Sequence, residues 1–213
     1  MGKNLDYHQK TRGILRRGPP PINQKRIDKL EERLGSLPES VKQWYSIHDA
    51  VNLLKRYSNG DTPIPLNKLS TESVDGQAVV FFQIENQAVC QWGFVINETE
   101  DPPVVTKWLE GDSAQCCEKF STFIYCQMFD YFNFNEDTSA ILTSESFSDS
   151  QLAALRRELD EEPETLHYSR SPTYRFSRGD RRITISRDPC YVYWLVSSCD
   201  KKDLDLFLEE LPR

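Results

Sequence analysis

Histidine is scarce in this sequence: His8, His48 and His167 are the only three among 213 residues, and no two stand at a metal-ligand spacing. Histidine-based acid–base catalysis and zinc chemistry therefore lack their usual residues, and His48, beside aromatic positions of a helical segment, reads as a packing residue. The six cysteines, Cys90, Cys116, Cys117, Cys126, Cys190 and Cys199, include no Cys-x-x-Cys pair, so reduced, mostly buried thiols are expected and a metal is not. As ends of one strand, Cys190 and Cys199 would lie roughly 30 Å apart, too far for a disulfide. The nine glycines form no phosphate-cradling loop and no Gly-x-Ser-x-Gly elbow, and no cofactor is expected. No apolar run approaches the roughly 20 residues that cross a bilayer, and charges stand where a signal peptide needs an apolar stretch. The expected location is the cytoplasm, with no membrane partner.

Charge is abundant and unevenly placed. Residues 1–26 hold seven Lys or Arg against the single acid Asp6, so this stretch is +6 and the remainder is −13 within a total of −7. An acidic body repels nucleic acid and membrane surfaces and attracts basic partners, although an acidic surface also serves solubility. Residues 1–21 end in Arg16-Arg17-Gly18-Pro19-Pro20-Pro21, show no hydrophobic periodicity and read as a flexible basic arm. Residues 22–213 read as a single α+β domain, in which residues 160–213 either extend the first sheet or pack as a small lobe.

The apolar spacing of Ile27, Leu30 and Leu34 predicts a short amphipathic helix that stops at Gly35, and Pro38 opens another carrying Val41, Trp44 and Tyr45. Residues 49–57 either continue it or form a separate turn of helix. Pro63 and Pro65 mark a loop with a short edge strand. Three β-rich runs, 78–84, 88–96 and 104–108, predict an antiparallel meander. Residues 119–134 are apolar on nearly every side at helical spacing, so a largely buried helix is expected there. A further helix is expected at 150–159, an acidic turn at 160–164, strands at 174–177, 182–186 and 191–197, and a closing helix at 201–211. In the penultimate hairpin Arg175, Arg182 and Arg187 alternate with Tyr174, Phe176, Ile183 and Ile185, which suggests one basic and one apolar face; the acidity of the body makes nucleic acid an unlikely ligand. Glu85, Glu98, Glu100 and Asp101 cluster around the central hairpin and are the candidates for a carboxylate pair.

One stretch has a recognisable order. Leu34-Gly35-Ser36-Leu37-Pro38-Glu39, followed by Trp44-Tyr45, resembles the opening helix pair of the SUKH superfamily of immunity proteins and cell-wall-assembly regulators. Tyr57-Ser58-Asn59-Gly60-Asp61 is similar to its next loop. Phe82-Gln83-Ile84-Glu85-Asn86-Gln87, running to Trp92-Gly93, resembles its strand, Glu-Asn-Gln turn and tryptophan-bearing strand, and Asp101-Pro102-Pro103-Val104 its next strand entry. The likeness continues loosely through the Phe-rich helix and is only general after Asp149. It implies an antiparallel meander flanked by helices, with a strand-rich α+β extension toward the C-terminus.

The resemblance also implies a non-catalytic protein-binding module, foremost an immunity protein that neutralises a basic toxin domain, such as a nuclease, by direct binding. A regulatory or scaffold protein bound to a resident cellular protein is the alternative, and a carboxylate-based hydrolase a remote one. The partner-binding candidates are Glu85, Asn86, Gln87, Trp92, Glu100 and Asp101. Asn86 suits a tight turn and Glu85 and Gln87 can bond neighbouring amides, so the Glu-Asn-Gln turn has a structural reading beside the recognition one. Trp92 is likewise divided between core and contact.

Overall fold

The computed structural model describes residues 24–47, 50–57, 60–97, 99–133, 138–166 and 168–212. The basic arm, Glu98 and all three histidines lie outside the described residues. Backbone contacts divide the chain into two compact units, Met1–Met128 and Phe129–Arg213, and the described residues of both are α+β with antiparallel sheets.

In the first unit, helix α1 (Gln24–Leu34) buries Ile27 and Leu30 and ends where the Gly35 amide reaches the Glu31 carbonyl at 3.0 Å. Gly35 sits at φ +84°, the left-handed angle that favours glycine after a helix. Helix α2 (Glu39–Ser46) follows Pro38 and buries Val41, Trp44 and Tyr45; α3 (Ala50–Tyr57) is a separate helix, because Ile47 turns to an extended conformation. The sheet comprises β1 (Thr62–Pro63), β2 (Thr71–Val74), β3 (Gln77–Ile84), β4 (Cys90–Val95), β5 (Val104–Trp108) and β6 (Ser113–Cys117). Its order is β1-β3-β4-β5-β6, with β2 also pairing β3, and every pairing is antiparallel. The expected meander is present, extended by β6, which the sequence reading did not include.

Both faces of this sheet are apolar. On one, Phe82 and Phe94 meet Phe120 of helix α4 (Phe120–Phe132) edge-on, with ring centroids 5.4 and 5.6 Å apart, and Phe82 meets Phe123 at 5.7 Å. Edge-to-face packing suits the ring quadrupoles, and it explains why this helix is aromatic almost all round. On the other face Val79, Phe81, Val95 and Val105 form a second cluster. Gly93, opposite Phe81 in the ladder, makes this possible: a Cβ there would stand 2.5 Å from Val79 Cγ1 and 2.9 Å from Phe81 Cδ1.

The second unit is built on β7 (Ser139–Ser144), β8 (Asp160–Leu166), β9 (Pro172–Arg178), β10 (Arg181–Arg187) and β11 (Val192–Ser197), ordered β7-β11-β10-β9-β8. Helix α5 (Asp149–Glu158) starts with a capping box in which Ser148 and Gln151 satisfy each other's amides. Helix α6 (Lys201–Glu210) is capped by Asp200. Leu155 of α5 and Leu204 and Phe207 of α6 join Phe176, Ile183, Ile185, Trp194 and Val196 in one core on one face of the sheet.

Two expectations for this unit are corrected. Residues 160–164 belong to strand β8 rather than to an acidic turn: the strand lies at a sheet edge, where water solvates the carboxylates, and the register shift between Glu162 and Thr165 accommodates Pro163. The hairpin arginines do not share one basic face. Arg187 alternates in step with Ile183 and Ile185, donates to the Phe147 carbonyl at 2.7 Å and lies over the Phe147 ring. Arg175 is buried, 3% exposed, on the opposite side.

Candidate functional site

The Glu85-Asn86-Gln87 turn joins β3 to β4 and is held from within by its own carboxylate. Glu85 Oε2 accepts the amides of Gln87 at 2.7 Å and Val89 at 3.4 Å, while the Glu85 carbonyl accepts the Ala88 amide at 2.8 Å. Ala88 is thereby kept at φ +58°, a left-handed angle that costs an alanine energy and persists because these bonds fix it. Glu85 is buried, whereas Asn86 and Gln87 are exposed at the tip.

The turn rests on the preceding loop. Asp61 Oδ1 accepts the Asn86 amide at 3.0 Å, and Asp61 Oδ2 accepts Gln83 Nε2 at 3.4 Å. Gly60, at φ +91°, lets Asn86 approach, since a Cβ on it would lie 3.2 Å from Asn86 Cβ. Two pieces far apart in sequence, Gly60-Asp61 and Glu85-Asn86-Gln87, thus form one hydrogen-bonded corner. Sequence reading did not assign Asp61 a role; its place beside a glycine, ahead of the first strand, was the available signal.

The other candidates occupy different places. Trp92 is buried against Phe123, with ring centroids 6.0 Å apart. Asp101 accepts the Ser121 amide at 2.9 Å and the Ser121 hydroxyl at 2.6 Å, so it caps the first turn of α4. Glu100 is exposed, and its carbonyl accepts the Ser40 amide at 2.9 Å, tying the β4–β5 loop to the start of α2.

That tie closes one end of a groove of about 1020 Å³. Leu34, Leu37, Pro38 and Ile96 line it with apolar surface, and Glu39 and Glu100 stand exposed on it. The single lysine of its lining, Lys42, is 3.3 Å from Glu39 and 3.9 Å from Glu31, so with Glu100 three carboxylates stand around one cation and the balance stays acidic. A groove of this kind suits an apolar or aromatic anchor with a cationic neighbour. A second groove, of about 760 Å³, carries Lys25, Arg26 and Lys29 around Leu30 and Leu66 and has the opposite electrostatic preference.

The Cys90 thiol, at the start of β4, is buried. Burial, and then the carboxylates of Glu85 and Asp61, push the Cys90 thiol up to about 12. No family model, curated protein or solved structure matches the chain.

Proposed function

We propose that the chain is a non-catalytic protein-binding module of SUKH-like fold, an immunity protein that neutralises a basic toxin domain by binding it. The observation that carries this reading is the apolar groove bearing Glu39 and Glu100, one wall of which, Leu34 to Glu39, belongs to a stretch on which the resemblance rests. The carboxylates of Glu85 and Asp101 serve the protein's own amides, which occupies them in holding loops rather than in reaction chemistry. The charge of −13 carried outside residues 1–26 would steer a cationic partner inward, and the apolar lining supplies the desolvated anchor site that charge alone does not.

The test is capture of a basic toxin domain from the chain's native cells, followed by association kinetics at low and high salt, for the native chain and a Glu39→Lys/Glu100→Lys variant. Expected is an association rate that falls steeply with salt and drops about tenfold or more in the variant. An association rate indifferent to salt and to both substitutions would overturn the reading. A stoichiometric resident cellular protein in place of the toxin would instead establish a regulatory role.

A further inference from the structure

We propose that the outer edge of β7 accepts an extended strand from the partner, apolar where it faces Ile141 and Tyr193 and basic at the end that reaches Glu145. The inference deepens the preceding proposal and rests on its basic protein partner.

The two edges of the second unit's sheet are treated differently. β8 carries Asp160, Glu161, Glu162 and Glu164, a proline and a register shift, all of which discourage a further strand. β7 reads Ser-Ala-Ile-Leu-Thr-Ser, with no charge, no proline and no irregularity in its ladder with β11. Among the described residues it pairs only with β11, so no described strand occupies its other edge. Six residues span about 20 Å, enough for a partner strand of ordinary length.

Side chains mark the same place. Ile141 pairs with Leu195 and Thr143 with Tyr193, which puts Ile141 and Tyr193 on one face, and Glu145 and Tyr191 lie just beyond the last pair of this ladder, Ser144 with Val192. Ile141, Tyr191 and Tyr193 are 60%, 52% and 38% exposed, three of the five large hydrophobic side chains most open to solvent among the described residues. Dispersed exposed apolar residues mean little, whereas a row beside an open edge matches strand addition, in which main-chain bonds give affinity and alternate side chains give specificity. At the far end of β7 lies a hollow of about 260 Å³ lined by Glu145, Asp188, Tyr191 and Arg187; the Arg187 guanidinium is turned to the Phe147 carbonyl, and the two carboxylates outnumber it beside an aromatic ring.

Charge selects the occupant. Residues 129–213 contain seventeen acids and eleven bases, so a second copy meets like charge while a basic segment is attracted. Glu145 is exposed, with no ion-pair partner among the described residues.

The probes are two blocked synthetic peptides, Lys-Lys-Val-Thr-Val-Thr-Val-Lys-Lys and its counterpart with glutamates replacing the lysines, added to the full chain at low salt. Hydrogen exchange is followed at the amides of residues 139–144. Expected is slowed exchange there with the lysine peptide, about tenfold weaker binding of the glutamate peptide, a similar loss with Ile141→Ser, and a reversed charge preference with Glu145→Lys. Both substitutions are at exposed positions, and circular dichroism checks that the variants fold. Absence of protection at millimolar peptide, or protection elsewhere only, overturns the proposal. So does concentration-dependent protection without peptide, which would identify a second copy as the occupant. Full capture of the cognate partner by the Ile141→Ser/Glu145→Lys chain would sink the edge and spare the protein-binding reading; docking of the lysine peptide without any toxin partner would do the reverse.

Discussion

Arg175 and Asp130 form a two-point ion pair, with Nε 2.8 Å from Oδ1 and a terminal guanidinium nitrogen 2.6 Å from Oδ2. Thr184 donates to the same Oδ1 at 2.8 Å, Asn133 donates to the Thr184 hydroxyl at 2.9 Å, and Ser197 donates to the Asn133 carbonyl at 2.7 Å. Strands β9, β10 and β11 are thereby joined to the C-terminal end of α4 by a chain of bonds with its donors and acceptors matched. Low dielectric makes such a chain strong when complete and costly when one member is missing.

Removing one partner of the pair is expected to destabilise the protein more than removing both. Arg175→Met leaves the Asp130 carboxylate without its counter-charge and should cost roughly 3 kcal/mol, while Arg175→Met with Asp130→Leu should recover part of that loss. Urea denaturation of the single and double variants checks this; equal costs would mean that the pair does not act as a unit.

Thiol reactivity should divide the cysteines into two classes. Cys190 and Cys199 are exposed and free, whereas Cys90, Cys116, Cys117 and Cys126 are buried. Burial pushes the Cys116 thiol up as it does Cys90. At pH 8 two thiols should react with an aromatic disulfide reagent within minutes, and four only at the rate of unfolding. Rapid modification of a third thiol would show that a buried site opens.

Acid should weaken one surface network in a defined window. Asp203 is held at about 2, below its ordinary value, first by the Arg181 guanidinium and then by the Ser198 hydroxyl. Its nitrogen–oxygen contacts to Arg181 are 2.7, 3.0 and 3.2 Å. The unfolded chain binds this proton more readily, so the contribution is fully present above about pH 4 and is lost as pH falls through about 2. The stability difference between the native chain and Arg181→Gln should therefore be constant near neutrality and narrow on acidification. A difference that widens on acidification would reverse the assignment.

Much of the architecture was legible because periodicity reports burial. Val41 and Trp44 on α2, the alternation in β10 and the all-round aromatic character of α4 each announce the surface they face. β6 and β7 were not legible: Ser-Ala-Gln-Cys-Cys and Ser-Ala-Ile-Leu-Thr-Ser show weak alternation, and pairing with β5 and β11 makes them strands. β8 was hidden by its acids, which an edge position tolerates. At the candidate site, Glu85 and Asn86 could be read as a turn from their chemistry. Asp61, 25 positions from the amide it accepts, could not, since nothing local specifies that contact.

Gly93 and Phe81 constrain each other across the ladder. Val79 Cγ1 and the Phe81 ring together occupy the space a side chain at position 93 would need, so the bare backbone at 93 and the bulk at 79 and 81 depend on each other. A relative with alanine or valine at 93 must carry a smaller residue at 79 or 81. The sheet's second apolar layer is therefore sized from the backbone outward: what position 93 lacks is what lets positions 79 and 81 be large.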